Sequence, residues 1–196
     1  MGGGGSQCQV YEGTYESKPA AIKILLDTFD DKAAQLFKKG LKTSLLISKC
    51  EGLVHILGSL QGTSYALIAY ELMDGDLIQF KNDFGEFPPD EAVNLLRQLS
   101  ISLMTLYRLG VIHRDVKPSN ILYRIKDEEF IFKIADYESA ELSNTVKKTK
   151  SKTSSDIRML TVEYAAPDNL YPTDDSKFSR YELCSDDIFS LMVSVV

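Results

Sequence analysis

The order of sequence patterns predicts an α+β chain of two lobes, strands first and helices after, with a hinge at residues 71–76. Three observations predict it. Short runs of β-branched and aromatic residues crowd the first 73 positions. A long helical periodicity opens at Pro88, and Asp74-Gly75-Asp76 breaks the chain between the two regions.

Residues 10–15, with Val10, Tyr11 and Tyr15, read as a strand that closes near Lys18-Pro19. Ala20-Ala21-Ile22-Lys23-Ile24-Leu25-Leu26 reads as a second strand, with one lysine among apolar neighbours. Over residues 30–49, Ala33, Phe37, Leu41 and Leu45 recur four apart, which is one face of a helix. Gly40 inside it costs about 1 kcal/mol relative to alanine. Residues 53–60 and 65–73 are two more strands around a turn at Gln61-Gly62. Pro88-Pro89-Asp90-Glu91 opens the long helix, because proline fits a first turn and the macrodipole favours acids there. Its apolar face is Ala92, Leu95, Leu96, Leu99, Leu103, Leu106 and Tyr107, and Gly110 suits its C-terminal cap. Residues 121–123 and 130–134 form a hairpin around Lys126-Asp127-Glu128-Glu129. Residues 141–158 are lysine, serine and threonine with few apolar side chains, the composition of an exposed loop. Ser185-Asp186-Asp187 is expected to cap a last, buried helix.

Composition narrows the functional classes. The chain has 196 residues, 44% hydrophobic and 26% charged, an ordinary globular balance. A net charge of -6 with no dominant basic run gives no reason to expect a nucleic-acid partner. No apolar stretch reaches the roughly 20 residues that a membrane-spanning helix needs. Cys8, Cys50 and Cys184 are scattered and odd in number, which suits a reducing, cytoplasmic setting better than a disulfide framework. The opening Met-Gly-Gly-Gly-Gly-Ser has three readings: a glycine loop that cradles phosphates, a flexible linker at a gene boundary, or an acylation signal built on Gly2 and Ser6.

The chemistry concentrates in His113-Arg114-Asp115-Val116-Lys117-Pro118-Ser119-Asn120. A carboxylate can orient a hydroxyl and take its proton, an ammonium can offset charge on a phosphoryl group, and an amide oxygen is a hard ligand for magnesium. This octapeptide resembles the catalytic loop of eukaryotic protein kinases, nearly letter for letter, and Lys117 resembles the serine/threonine-type branch. A polar loop after a helix is the plain alternative, and so long a match followed by an apolar strand argues against it. His113 reads as a packing and hydrogen-bonding residue rather than an acid or base.

The resemblance extends along the chain in the family's order. Asp136-Tyr137-Glu138 falls where the family has Asp-Phe-Gly, so Asp136 is implied as a second metal ligand beside Asn120. Ala21-Ile22-Lys23 is similar to the strand motif whose lysine holds the α- and β-phosphates, with Ala21 flooring the adenine slot. Thr161-Val162-Glu163-Tyr164-Ala165-Ala166-Pro167-Asp168 looks like the end of the activation segment, and Asp187 matches the buried aspartate that props the catalytic loop. The hinge implies adenine contacts from Glu71 and Met73, Leu122 against the base, and a ribose contact from Asp76. Counting back from Val10, the glycine loop would be Gly3 and Gly5, with Cys8 in the third glycine's place. Arg114 could grip a phosphorylated residue among Ser151, Thr153, Ser154 and Ser155, the other reading being an unregulated, solvated loop.

Three departures are visible. Cys8 crowds a phosphate site. Glu138 replaces a glycine whose backbone angles glutamate resists. Aligning on Leu53-Val54 puts the glutamate partner of the family's lysine near Leu41, and residues 38–44 contain no acid, so the ion pair is expected to be missing. Leu45 and Ile56 fall where packing residues are expected in that register. The resemblance implies a bilobal protein-kinase-like fold, incomplete over residues 1–196. It has a small β-rich N-lobe with hinge (1–73) and a helical C-lobe lacking its last helices (74–196). It implies ATP and Mg2+, a protein substrate, an upstream kinase, and serine/threonine phosphorylation. The alternatives are a nucleotide-binding or scaffold module without transfer, and a kinase fragment without function.

Overall fold

The computed structural model describes residues 8–25, 31–48, 50–62, 65–142, 162–164 and 180–195, with the backbone alone for 31–33, 162, 180–186 and 195. The chain opens on an antiparallel hairpin, β1 (Cys8–Tyr15) and β2 (Lys18–Leu25), whose two-residue turn holds Glu16 and Ser17 at positive φ. β2 pairs with β4 (Ala66–Glu71) and β4 with β3 (Ile56–Gln61), all antiparallel, giving the order β1-β2-β4-β3. Between β2 and β3 runs α1 (Asp31–Leu46), which passes through Gly40 without a break. Phe37 of α1 packs with Leu25, Ala66 and Ile68 of the sheet, and Leu41, Ile56 and Tyr70 lie against this core.

The buried stripe of α1 differs from the expected one. Leu45 is 56% exposed, whereas Ser44 is 1% exposed and Thr43 is also buried. Residues four apart drift about 40° around a helix of 3.6 residues per turn, so by Leu45 the stripe that starts at Phe37 has rotated away from the sheet. Ser44 tolerates burial because its hydroxyl meets the Tyr70 hydroxyl at 3.1 Å, and Thr43 Oγ1 donates to the Lys39 carbonyl at 3.1 Å.

A second sheet runs β5-β7-β8, made of β5 (Gly75–Asp76), β7 (Ile121–Lys126) and β8 (Glu129–Ile134). α2 (Leu77–Phe84), an element that the sequence pattern does not predict, starts directly after the break at Asp74-Gly75-Asp76. Asp76 is its N-cap, one carboxylate oxygen accepting the Gln79 N–H at 2.9 Å. The helix buries Leu77 and Phe80. Phe80 is the hub of an aromatic group, with ring centroids 4.4 Å from Phe87 and 4.8 Å from Phe130.

α3 (Pro89–Arg108) presents Leu95, Leu99, Leu103 and Leu106 to the larger core, where Val111, Val116, Ile121, Phe132 and Tyr137 meet them. Gly110 follows its last turn at φ 74° and donates to the Tyr107 carbonyl, a conformation that glycine takes without steric cost. β6 (Val111–Ile112) then pairs with β9 (Glu141–Leu142). α4 (Arg180–Val195) begins five residues before the expected cap, so Ser185-Asp186-Asp187 lies inside the helix. Asp187 is buried there because it accepts hydrogen bonds from another segment rather than from its own helix start.

Candidate active site

The loop leaving β6 is fixed by its backbone before its side chains act. Asp187 accepts the His113 N–H at 2.7 Å through Oδ2 and the Arg114 N–H at 2.8 Å through Oδ1. Burial pushes the Asp187 pKa up, against these two donors and the nearby His113 and Arg114, which favour its charged form. His113 is fully buried, its Nε2 lying 2.9 Å from the Ala135 carbonyl, and Arg114 sits at φ 67°. On this frame, Lys117 Nζ approaches Asp115 Oδ2 at 2.8 Å. Asn120 Nδ2 donates to the same oxygen at 3.0 Å and to the Asp115 carbonyl at 2.8 Å. The amide nitrogen of Asn120 therefore faces Asp115, which leaves its oxygen as the end that suits a hard cation.

β8 delivers the second acidic segment. The Ala135 N–H donates to the Asn120 carbonyl at 2.8 Å, tying the segment of Asp136 to the loop of residues 113–120. Glycine-like strain, expected at Glu138, falls instead on Asp136, at φ 61°; Glu138 is not among the described residues with positive φ. Aspartate visits this left-handed region more readily than most residues, so the local sequence tolerates the exchange. Tyr137 is buried, and its hydroxyl donates to the Ile134 carbonyl and accepts the Val54 N–H at 3.2 Å. Burial raises the Tyr137 pKa well above its ordinary value.

Lys23 is not without a carboxylate. Its Nζ lies 3.0 Å from Asp136 Oδ1 and 3.0 Å from Glu138 Oε1. Burial works against the ammonium, but the two carboxylates outweigh it and raise the Lys23 pKa. Asp136 is shifted the other way: burial alone would raise its pKa, and the Lys23 charge holds it below the usual carboxylate value. The expected absence of an acid at residues 38–44 of α1 does not leave the lysine unpaired, because the acid arrives from the segment after β8. That pairing is non-local, and nothing in the spacing of residues 23–44 signals it.

Val10, Ala21, Glu71, Met73, Asp76 and Leu122 all line one cleft of ≈ 290 Å³ between the hairpin and β7. This volume is at the lower end of ligand pockets, roughly 300 Å³ upward. Leu72 and Gly75 of the expected hinge also line it, and Tyr11, Glu12, Val54, Tyr70 and Gln79 complete the lining. The Glu71 carboxylate is engaged by Lys133 at 2.6 Å, Arg124 at 3.4 Å and the His55 N–H at 2.8 Å, so only its backbone could serve a base. Asp76 reaches the cleft while one of its oxygens caps α2.

Arg114 pairs with Glu141 of β9 at 3.1 Å. Its Nε is buried with no hydrogen-bond partner among the described residues. Lys39 of α1 is close enough to feel both charges: burial lowers its pKa, and it donates to the Ser139 carbonyl at 3.3 Å. The predicted Gly3 and Gly5, the phosphorylation candidates Ser151, Thr153, Ser154 and Ser155, and Ala165-Ala166-Pro167-Asp168 lie outside the described residues. Among the described residues, no helix is long and apolar enough to cross a membrane.

The family model described as Protein kinase domain matches residues 2–196. Serine/threonine-protein kinase greatwall of Mus musculus is 31% identical over 138 residues, covering 66% of this chain and 15% of the mouse protein. MAP kinase-activated protein kinase 2 of Mus musculus is 32% identical over 132 residues, covering 64% of this chain and 33% of that protein. The greatwall kinase of Xenopus laevis is 31% identical over 114 residues, covering 54% and 12%. The matched region therefore spans a third or less of each relative's own length.

Proposed function

The chain belongs to the protein kinase domain family, and on that premise we propose that it transfers the γ-phosphate of ATP to serine or threonine hydroxyls of a protein substrate. The observation that carries this reading is the bonded group of Asp115, Lys117 and Asn120 on a loop whose backbone Asp187 holds. Residues 1–73 act as the small lobe with its hinge, and residues 74–196 as part of the large lobe.

The adenine lies between Ala21 and Leu122, with the backbone of Glu71 and Met73 at its edge and Val10 above. Lys23 binds the α- and β-phosphates. Asp115 accepts the proton of the attacking hydroxyl. The hydroxyl oxygen bonds to the γ-phosphorus as the bond to the bridging oxygen breaks and ADP departs. Lys117 offsets the charge on the moving phosphoryl group. Magnesium, when bound, neutralises charge on the phosphate oxygens, and the Asn120 amide oxygen and the Asp136 carboxylate would hold it, a donor set of hard oxygens that fits that ion. The Asp136 oxygen that would meet the ion is on the carboxylate that now pairs with Lys23 at 3.0 Å.

The test uses the purified chain. ATP with magnesium is expected to raise the melting temperature, and radiolabel from γ-labelled ATP to appear on a serine- and threonine-containing protein substrate. Asp115→Asn should abolish the labelling and keep the thermal shift. Labelling that Asp115→Asn retains in full would overturn the assignment. A thermal shift without labelling in the wild type selects the nucleotide-binding module instead, which the two carboxylates on Lys23 favour.

A further inference from the structure

Cys8 and Glu138, two residues that depart from the family pattern, meet Gly40 of α1 at one point. Glu138 Oε1 lies 3.0 Å from Lys23 Nζ and 3.8 Å from Cys8 Sγ. A Cβ built on Gly40 would lie 2.9 Å from Glu138 Cγ. Leu41, where the register put the lysine's partner, instead packs on the apolar core of the sheet and cannot serve. From this convergence we propose that Glu138 is the positioning residue for Lys23, seated in a slot that Gly40 opens on α1 and bordered by Cys8 of β1.

Exposure decides between the two carboxylates on the lysine. The Asp136 side chain is 40% exposed and the Glu138 side chain 18%, with Lys23 itself at 12%. Lysine is a compact, strongly hydrated charge on a flexible stem, so a single exposed partner orients it weakly. When Asp136 turns to a metal ion, Glu138 is the carboxylate that stays on the ammonium and keeps it aimed at a phosphate. The side chain needs its space as well as its charge. A methyl group at position 40 would strike Cγ, in the middle of the glutamate rather than at its movable end. Tyr70 of β4 and His113 also lie beside this cluster; burial raises the Tyr70 pKa, and its hydroxyl is held by Ser44 of α1.

The inference deepens the nucleotide-binding reading and rests on it for the phosphate, while the ion pair can be tested without nucleotide. Lys23 of the full chain is acylated with an amine-reactive ester at pH 8, and its labelling rate is followed by mass spectrometry. Glu138→Gln should raise the rate about ten-fold, because losing the less exposed of its two carboxylates frees the amine on its flexible stem to meet the reagent. Glu138→Asp should fall between, and Gly40→Ala should raise the rate about three-fold. The double variant should label no faster than Glu138→Gln alone, since both changes act through one contact. ATP with magnesium should protect Lys23 in the wild type, and Glu138→Gln should weaken ATP affinity about ten-fold with adenosine affinity unchanged. If Glu138→Gln fails to fold, Glu138→Asp and Gly40→Ala carry the same test. Unchanged labelling in Glu138→Gln, or independent effects in the double variant, would overturn the proposal. Equal loss of ATP and adenosine affinity would also overturn it, by making the role structural. Absent protection by ATP, with labelling still dependent on Glu138, would sink the nucleotide reading and leave the ion pair standing.

Discussion

Among Asp115, Lys117 and Asn120 the bonds that shape the site span five residues or fewer. Around Lys23 the partners come from 113 residues further along the chain and from just beyond. The first group is a local constellation. His113, Asp115, Lys117 and Asn120 each make a bond of their own there, so changing one of them removes that bond. The second needs only a carboxylate at a point in space, and any element that reaches the point can supply it. The loop at residues 113–120 accordingly matches the family motif nearly letter for letter, whereas the lysine's surroundings depart from it at Cys8 and Glu138.

The largest effect that tests this contrast belongs to the local half. Asp115→Asn is expected to lower kcat by about 10²–10⁴-fold, with ATP affinity within about two-fold of wild type. A comparable loss of ATP affinity would mean that the two halves are not separable. Next comes the support of that half. Asp187→Ala leaves the buried N–H groups of His113 and Arg114 without their acceptors, at about 1–3 kcal/mol each, read as a fall in the denaturation midpoint. Transfer should fall with it while Lys23 labelling stays at the wild-type rate.

On the other half, Lys23→Gln separates the charges by pH. Asp136 has a folded-state pKa below its unfolded value, so its contribution is complete above about pH 4 and is lost as pH falls through the lower, folded value. Lys23 has a raised folded-state pKa, so its contribution is complete below about pH 10 and is lost as pH rises through the folded value. The melting-temperature gap between wild type and Lys23→Gln should therefore be widest from about pH 5 to about pH 9, and should narrow at both ends. A gap that is constant across this range would mean that the pair contributes nothing through its charges. The smallest effect lies between the halves. Tyr137→Phe removes the hydroxyl bonded to Ile134 and Val54, but the Val54 N–H keeps the Ile134 carbonyl at 2.9 Å. A loss of about 1 kcal/mol is expected in denaturant unfolding, with no change in Lys23 labelling.

What the sequence made legible follows the same division. The α+β order, the long helix from Pro89, the hairpin of β7 and β8, and the cleft's six predicted lining residues rest on local periodicity or on motif letters. α2 was hidden because it is eight residues long and its cap, Asp76, sits in a Gly-Asp pair that reads as a break. The stripe on α1 was misread at Leu45 because serine is an unexpected core residue until its partner, the Tyr70 hydroxyl, is in view. The start of α4 is not legible because Ser185-Asp186-Asp187 looks like a cap, whereas the Asp187 carboxylate meets the N–H groups of His113 and Arg114, in the place that the motif resemblance implies. The bond from Glu138 to Lys23 had no local signature at all. It became visible only when strand, helix and the segment after β8 were brought together.

Gly40 also sets the order in which such a site can be assembled by single substitutions. Starting from a helix with a side chain at position 40, a glutamate at 138 meets a Cβ at 2.9 Å from its Cγ, and the first step is a loss. Starting from glycine at 40, the same glutamate enters an open slot and the step is accepted. Once Glu138 is seated, every replacement of Gly40 is opposed by the residue that it admitted. The constraint is one of order: the glycine must be in place before the glutamate, and on the way back the glutamate must go before position 40 can regain a side chain.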